Sequence, residues 1–391
     1  MFLQIHYLTS YHSSLLNRDD AGLAKRIQFG GAERLRVSSQ SLKRHWRLAM
    51  MAQTKLPSAY RTRYFFDRQV KRRLVEQGMP VDAAHELTLH LGNALFTSAG
   101  DKSTLDKDTL MMKQPILFGK VEADYLASLI QQAYVEAEHH TGDAKKILDE
   151  TAKNHKDNFK VLLRQAGYSH LAAGFEGALF GRFVTSDILT RVDAPVHVAH
   201  AFTTHALDTE VDYFTAVDDL AEGETGAAHA GDMELGAGIF YGYVAVDIPL
   251  LVSNVTGAEP SKWQEEALED VQELLRLLIQ SIAQVSPGAK LGATAPYAFA
   301  DLVLLEIGTS QPRSLANAYL KPVDLRKSSD AMETSIKALE VYLNRLEAMY
   351  GEPQEKRFVA STHQWSREYE QKTTFQEAID NALLAMKGNL S

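Results

Sequence analysis

Hydrophobic and polar side chains alternate at the start of the chain, which predicts a short strand over residues 1–8. Phe29-Gly30-Gly31 is a turn signal, and Arg34–Val37 alternates again as a second strand. The serines of Ser38–Ser41 then open a helix, because their side-chain oxygens can cap its first N–H groups. Apolar residues recur along that helix at helical spacing and predict its buried stripe: Leu42, Trp46, Ala49 and Met50.

Residues 60–175 follow a polar, almost entirely helical pattern, which predicts a helical insertion between strands. Around Gly174 and Gly181 the chain is expected to return to extended structure. Glycines are frequent over residues 221–238 and predict a loop or hairpin tip. The run Ile239–Val246 is rich in strand-forming residues and predicts the strand that follows.

A helix is predicted over Ser261–Val285, where Ser261 and Gln264 match a capping box, and Ala300–Ile307 is typical of a buried strand. With the insertions removed, the predicted order is β-α-β-β-α-β, the order of a ferredoxin-like or RRM-like sheet. The fold class is therefore predicted to be α+β. Many functions occur on this fold, so the order alone raises the expectation of RNA binding only modestly.

Composition narrows the class of protein. The chain has 391 residues, 45% of them hydrophobic, which is enough for two or three domains or for one domain with a large insertion. It has no cysteine, which excludes disulfides, zinc knuckles and thiol catalysis. No apolar run approaches the ~20 residues of a membrane span, and the first residues lack the layout of a signal peptide. We therefore expect a cytoplasmic protein without a membrane partner, and no cofactor is expected.

Positive charge is concentrated at the start of an acidic chain. The formal net charge is -9 over the whole sequence. Residues 1–50 nevertheless hold more basic than acidic side chains: Arg18, Lys25, Arg26, Arg34, Arg36, Lys43, Arg44 and Arg47 against Asp19, Asp20 and Glu33. Charge alone leaves two interpretations open, a surface that grips one polyanion or a basic face that balances acidic neighbours within the fold.

The start of the predicted helix carries the groups of an anion site. Ser38 and Gln40 offer polar donors where the helix dipole favours a negative charge. Lys43 and Arg47 add full charges further along the helix, and Arg18 and Lys25 could approach from the preceding loop. These residues could form a phosphate cradle, and nothing among them supplies an activated nucleophile. The alternative is an ordinary serine cap followed by a solvated basic helix face.

The same segment, LLNRDDAGLAKRIQFGGAERLRVSSQSLKRHWR (Leu15–Arg47), resembles the N-terminal signature of the CasC family of the Cas-seven superfamily. This family provides the repeated backbone subunit of the type I-E CRISPR Cascade. Further blocks follow in family order over about the first 320 residues: Gly177–Asp187, His197–Leu220, Gly236–Val244, Pro287–Lys290 and Ser314–Tyr319.

The resemblance implies an RRM-like palm with a large helical finger insertion and a β-hairpin thumb. Residues 1–58 would be the first part of the palm, 59–175 the finger domain, and 176–391 the second part of the palm, with the thumb at about 207–238. Copies of such a non-catalytic subunit stack head to tail along one CRISPR RNA, and other Cascade subunits complete the complex. The RNA is then presented for pairing with target DNA.

The resemblance also implies roles for individual residues. The RNA phosphates and sugars would be held by Arg18, Lys25, Ser38, Gln40, Lys43 and Arg47. Phe183 falls where family members place a methionine that wedges between bases. The thumb would pack against the displaced nucleotide through Tyr213, Phe214, Thr215 and Val217. Members of the family carry lysines on a polar helix that contact DNA, and the corresponding residues here would be Lys145, Lys146 and Lys153. No catalytic residue and no metal ligand is expected.

Two other functions remain as alternatives. Related CRISPR backbone subunits use an aspartate for RNA cleavage, and a metal-dependent ribonuclease could use side chains that the sequence places near one another: His197, His200, His205, Asp218 and Asp219. A generic RRM-like scaffold that binds only proteins is the second alternative. RNA that copurifies with the protein would distinguish the RNA-binding backbone subunit from the scaffold that binds only proteins.

Overall fold

The structure is a computed structural model that describes residues 1–96, 105–154, 171, 173–182, 192–216, 229–289, 291–351, 354–367, 370 and 372–388. The chain divides into two compact units. The first unit contains Met1–Gln53, His197–Val246 and Leu275–Ser391. The second contains Thr54–Val196 and Asp247–Leu274.

The strands, in chain order, are β1 (Phe2–Ser14), β2 (Arg26–Phe29), β3 (Ala32–Val37), β4 (Ala59–Thr62), β5 (Ile116–Gly119), β6 (Val196–Val198), β7 (Ala201–Thr203), β8 (Thr209–Ala216), β9 (His229–Asp247), β10 (Ala300–Gly308) and β11 (Lys356–Ser361). The α-helices are α1 (Ser39–Met51), α2 (Arg72–Glu76), α3 (Val81–Phe96), α4 (Lys120–Glu136), α5 (Thr141–Asn154), α6 (Gly174–Phe180), α7 (Ile248–Thr256), α8 (Glu269–Gln284), α9 (Leu291–Thr294), α10 (Ala331–Tyr350) and α11 (Phe375–Lys387).

Among the described residues, nine strands form the main sheet, in the order β11-β10-β1-β9-β7-β3-β2, with β6 and β8 also pairing with β9. Strands β1 and β10 are antiparallel and pair Phe2 with Gly308 through to Leu8 with Leu302. The neighbours β10-β1-β9-β7, with α1 and α8 between them in sequence, reproduce the predicted β-α-β-β-α-β order. The predicted α+β, ferredoxin-like fold class is confirmed.

Alternation along the strands sends side chains to opposite faces of this sheet. On one face, Tyr7, Trp46 and Ile282 line a common small space, so α1 and α8 both cover this side. On the other face, Leu8, Leu302 and Leu304 belong to one core cluster. Helix α10 contributes the buried stripe that covers this second face: Met332, Ile336, Leu339 and Leu343.

A buried carboxylate ties the middle of the sheet to the C-terminal part of the chain. Glu306 is fully buried in β10. It accepts hydrogen bonds from His6 at 3.0 Å, from Arg313 at 2.7 and 2.8 Å, and from Arg357 at 2.6 Å. Arg357 also pairs with Glu347 and Glu370. Each buried charge therefore has an opposite partner, which is the condition for tolerating it inside the protein.

The second unit is mostly helical, and its core is assembled from α2 to α5 with the preceding π-helical segment Phe66–Lys71. The rings of Phe65 and Phe118 stack with centroids 4.0 Å apart at the centre of this core. The expectation of an almost entirely helical region did not include one feature, since β4 and β5 pair as a two-stranded antiparallel sheet. Each strand has only four residues, too few for its alternation to stand out.

Two predicted elements differ from the observed ones. Residues 174–180 form α6 rather than extended structure, and Gly181 ends this helix with a φ of 74°. The helix predicted over Ser261–Val285 is divided into a 3-10 helix, Pro260–Glu265, and α8. The division follows from Pro260 at the first turn and from an extended Glu266, which together leave Trp263 buried in the short helix. In the described part of the chain, no helix is both long and apolar enough to cross a membrane.

Candidate nucleic-acid interface

Asn17 ties the loop after β1 to the start of α1. Its backbone carbonyl accepts a hydrogen bond from the Lys25 N–H at 2.9 Å. Its side-chain Oδ1 accepts a hydrogen bond from the Ser38 N–H at 2.9 Å. Arg18 lies directly after Asn17 and forms an isolated bridge with Ala24. Asn17 therefore connects the backbone of the loop that carries Arg18 and Lys25 to the N-cap residue Ser38.

The loop itself is held in a fixed shape by Asp19. The carboxylate Oδ1 of Asp19 accepts hydrogen bonds from the N–H groups of Ala21 and Leu23, both at 2.9 Å. The Asp19 N–H donates to the Leu23 carbonyl at 2.8 Å. The Asp19 carboxylate thus stabilises the turn that carries Arg18 and Lys25. The Arg18 side chain is exposed, and the Lys25 side chain is half-buried.

The first turn of α1 already uses some of its N–H groups within the protein. Ser38 is the N-cap, and its Oγ accepts a hydrogen bond from the Ser41 N–H at 3.3 Å. The Ser39 N–H donates to Nδ1 of His200 at 3.1 Å. An anion at this helix start would therefore meet the positive end of the dipole and the polar side chains, while the N–H groups of Ser39 and Ser41 are directed to internal acceptors.

His200 is a member of this site that the sequence did not assign to it. Its Nδ1 accepts from Ser39 and lies 3.4 Å from the guanidinium of Arg36. Because Nδ1 is the acceptor, the proton of the neutral ring is on Nε2. Burial lowers the pKa of His200, and the charges of Arg36 and Lys25 lower it further. The ring is therefore neutral at physiological pH.

The eight basic side chains of the first fifty residues have different roles. Arg34 is fully buried and donates to the carbonyls of Thr203 and Tyr319, both at 2.8 Å. Arg26 forms ion pairs with Glu33 and with Glu234. Both arginines stabilise the fold, and Arg26 does so by balancing acidic neighbours, as one of the two interpretations of the charge pattern expects. Arg36 lies in β3, where its Nε donates to the Arg26 carbonyl at 3.1 Å. The remaining cations are Arg18 and Lys25 on the loop and Lys43, Arg44 and Arg47 on α1.

On α1, Lys43 and Arg47 lie one turn apart beside the buried stripe of Leu42, Trp46 and Met50. Both charged side chains are half-buried. Burial lowers the pKa of Lys43, because the ammonium group is partly removed from water. A phosphate placed beside it would restore the lost solvation by charge pairing. Gln40 is exposed at the start of the same helix.

Strands β8 and β9 form an antiparallel hairpin that carries two exposed aromatic residues. Tyr213 is 68% exposed and Phe214 is 39% exposed. Because they are adjacent in a strand, their side chains lie on opposite faces of the hairpin. Tyr213 pairs with Asp232, and Phe214 pairs with Gly231. The predicted nucleotide-packing residues therefore divide between the two faces, and Tyr213 shares its face with Thr215.

The face of Tyr213 is the one that meets the basic loop. Glu234 lies on this face, two positions from Asp232 along β9, and accepts from the Ala24 N–H at 2.8 Å as well as from Arg26. On the other face, a Cβ placed on Gly231 would lie 2.7 Å from the Phe214 ring. Glycine therefore lets the Phe214 ring lie close to the hairpin backbone, and a larger residue at position 231 would require the ring to shift.

The predicted DNA-contacting lysines lie in the second unit, on α5. Lys145 pairs with Glu86 at 2.5 Å, and Lys146 pairs with Asp143 at 2.8 Å. Hydrogen bonds from these lysines lower the pKa of each carboxyl partner. Such exposed pairs contribute little to stability, so both ammonium groups can exchange their partner for a phosphate. The backbone of Lys153 is in the last turn of α5, and its side chain lies outside the described residues, as do Phe183 and Val217.

Arg182 and Val192, the residues on either side of the segment that contains Phe183, pair with each other through their backbones. The Arg182 N–H donates to the Val192 carbonyl at 2.8 Å, and the Val192 N–H donates back at 3.0 Å. The Arg182 guanidinium is buried and donates to both carboxylate oxygens of Glu122 at 2.7 Å. Gly181 precedes it, and a Cβ there would lie 2.7 Å from the Val192 carbonyl oxygen.

Two histidines of the ribonuclease alternative, His200 and His205, make hydrogen bonds within the fold. His205 is buried, with Nδ1 bound to the Ala206 carbonyl at 2.7 Å and Nε2 accepting from the Ile239 N–H at 3.2 Å. His200 accepts from the Ser39 N–H. Within the described ranges, no group of three or more acidic or histidine side chains could hold a metal ion. Asp218 and Asp219 lie outside those ranges.

Comparison with known proteins places this geometry in context. Residues 3–385 match the CT1975-like protein family, Cas_CT1975. A chain of a solved "CRISPR RNA-guided surveillance complex, pre-nicking" is 26% identical, with a TM-score of 0.77, covering 98% of this chain and 100% of that one. A chain of a second "CRISPR RNA-guided surveillance complex" is 24% identical, with a TM-score of 0.66 and the same coverage. Comparison with curated proteins gives no match.

Proposed function

Because the chain belongs to the CT1975-like protein family, we propose that it is a CRISPR RNA-binding backbone subunit of a Cascade surveillance complex. The observation that carries the proposal is the cationic cradle that Asn17 assembles from the loop after β1 and the start of α1. The 26% identical chain of a CRISPR RNA-guided complex supports it over the whole length. The finer assignment is to type I-E, with non-catalytic copies stacked head to tail along one guide RNA.

The division of labour follows from the chemistry of the residues. Arg18, Lys25, Lys43 and Arg47 neutralise phosphates, which is the sequence-independent part of RNA binding. Ser38 and Gln40 supply polar contacts to phosphate or sugar, which position the strand without reading its sequence. The bases are left for pairing with target DNA, so the guide carries the specificity.

The hairpin and the second unit complete the proposal. The hairpin of β8 and β9 is the thumb, and the face with Tyr213 and Thr215 packs against a displaced nucleotide, because this face meets the basic loop. The helical part of the second unit is the finger domain. Its Lys145 and Lys146 attract the backbone of the target DNA, in exchange for Glu86 and Asp143.

Charge reversal on α1 tests the cradle. Lys43→Glu with Arg47→Glu should abolish the copurification of RNA with the protein. In titrations with single-stranded RNA, the slope of log affinity against log salt should fall by about 0.7 for each phosphate that the variant no longer neutralises. Filter binding at several salt concentrations measures both effects, and the absorbance ratio at 260 and 280 nm reports the copurified RNA.

Lys327→Glu with Lys337→Glu is the matched control, because it makes the same change of net charge at exposed positions on and next to α10. This control should bind RNA as the wild type does. If the wild type retains no RNA, the proposed function is wrong. If both double variants lose RNA equally, net charge rather than the cradle accounts for binding.

A further inference from the structure

Two large aromatic side chains are displayed on the segment between α9 and β10. Tyr297 is 73% exposed and Phe299 is 69% exposed. Pro296 is buried and Ala298 is half-buried, so the inward and outward positions alternate. Aromatic rings contribute most of their stabilisation when they are buried. Two exposed aromatic rings only two positions apart therefore indicate a surface that takes part in binding.

The segment that carries the rings is held rigidly. Oγ of Ser286 accepts from the Ala298 N–H at 3.0 Å and donates to the Ala298 carbonyl at 3.2 Å. The Tyr297 N–H donates to the Ala295 carbonyl at 2.7 Å. Ala295 has a φ of 44°, a conformation that a residue other than glycine adopts at a cost. The rings are thus presented on a preorganised support, which lowers the entropy lost on binding.

This support lies at the same end of the sheet as the cationic cradle. The Ala289 N–H donates to the Leu15 carbonyl at 3.0 Å, two residues before Asn17. Ala300, directly after Phe299, is the first residue of β10 and pairs with Thr9 in the second half of β1. Because β1 and β10 are antiparallel, the segment with the exposed rings precedes β10 at the end of the sheet toward which β1 runs before the basic loop.

We propose that Tyr297 and Phe299 form a stacking platform for unpaired bases of the RNA whose phosphates the cradle holds. The inference rests on the proposed function and adds a base-contacting surface to it. Aromatic rings beside cationic groups are the combination that single-stranded nucleic acids select, because cations bind the backbone and rings stack on any base. Continuity with the cradle favours RNA over a second copy of the chain as the occupant.

Removing both rings tests the platform. Tyr297→Ala with Phe299→Ala should weaken the binding of single-stranded RNA about 5- to 150-fold for each stacked base, the range expected of base–aromatic stacking. The slope against salt should stay at its wild-type value, because no charge is removed. Met349→Ala with Tyr350→Ala is the matched control, since these side chains are 74% and 76% exposed at the end of α10. It should bind RNA as the wild type does.

Two further measurements identify the contact as stacking. Tyr297→Phe with Phe299→Trp keeps two rings and should restore binding. An RNA of the same length with abasic ribose in place of the bases should bind the wild type and the alanine variant with more similar affinities. Light scattering without RNA should show the same assembly state for both proteins.

The outcomes separate this inference from the proposed function. If wild-type protein binds RNA and the alanine variant binds equally well, the platform is wrong and the cradle stands. If the alanine variant instead loses self-association without RNA, the rings form a protein contact and the platform is wrong. If wild-type protein binds no RNA, both the platform and the proposed function are wrong.

Discussion

The buried carboxylate of Glu306 allows one stability prediction to be worked out from the contacts. Glu306→Gln keeps the size of the side chain and removes its charge. Arg357 retains Glu347 and Glu370 after the change, whereas Arg313 loses its charged partner and keeps one oxygen acceptor on the neutral amide. Removing one partner of a buried ion pair costs about 3–5 kcal/mol. Since the Arg313 side chain is 29% exposed and water can replace part of the pair, we expect about 3 kcal/mol.

The effect should depend on pH in a defined direction. Burial raises the pKa of Glu306, but hydrogen bonds from His6 and Arg313 and the nearby positive charges outweigh it, and the pKa lies well below its usual range. A carboxyl group with a lowered pKa stabilises the folded state above its unfolded pKa of about 4.3. This stabilisation is lost as the pH falls through the folded pKa. The difference between wild type and variant should therefore be constant from about pH 7 to 5 and shrink below about pH 4.

Urea unfolding followed by tryptophan fluorescence measures this difference. Trp365 is a suitable reporter, because its indole N–H donates to Glu370 in the same network. Asp324→Asn is the control, since it removes a carboxylate whose partner, Lys327, is 86% exposed, and it should leave the midpoint unchanged. A loss below about 1 kcal/mol, or one that persists unchanged at pH 3, would refute the role given to the Glu306 charge.

Three further changes have expected outcomes. Gly242→Ala should lower the free energy of unfolding by about 1–3 kcal/mol, since its Cβ would fall 2.0 Å from the ring of Tyr7; an unchanged thermal midpoint would contradict the close approach. Arg34→Leu should cost about 3 kcal/mol, because it leaves two buried carbonyls without donors, and a calorimetric loss below ~1 kcal/mol would contradict this. Asn17→Ala should weaken RNA binding several-fold in filter binding with a stability loss of only about 1 kcal/mol, because the Ser38 N–H loses its acceptor; unchanged affinity would show that Asn17 does not position the cradle.

Local patterns predicted several strands of the main sheet and helix α1, because these elements depend on near neighbours in sequence. Alternation identified β1 and the strand before α1, and serines next to an apolar stripe identified the start of α1, where Ser38 is the cap. The basic residues proposed for the cradle come from the same local patterns, since all precede or belong to this helix. The four-residue strands β4 and β5 were missed, because their pairing joins residues more than fifty positions apart.

The contacts that complete the cradle could not be predicted from local patterns. His200 reaches Ser39 across 161 positions, and only the pairing of β3 with β7 brings them together. Glu306 stands in an apolar run that predicts a buried strand, and nothing near it in sequence reveals His6 as its partner. The division of Tyr213 and Phe214 between two faces, in contrast, follows from strand alternation alone.

The pairing of β1 with β10 also constrains the order of events during synthesis. The first strand leaves the ribosome about 300 residues before its partner, an interval of about 15–60 s at usual elongation rates. During this time Leu3, Ile5 and Leu8, buried in the finished sheet, have no partner strand on that side. Chains interrupted before Ala300 would therefore present an unpaired apolar edge, a site for aggregation or chaperone binding. Synthesis of β10, rather than the speed of local folding, therefore sets when β1 can pair on that side.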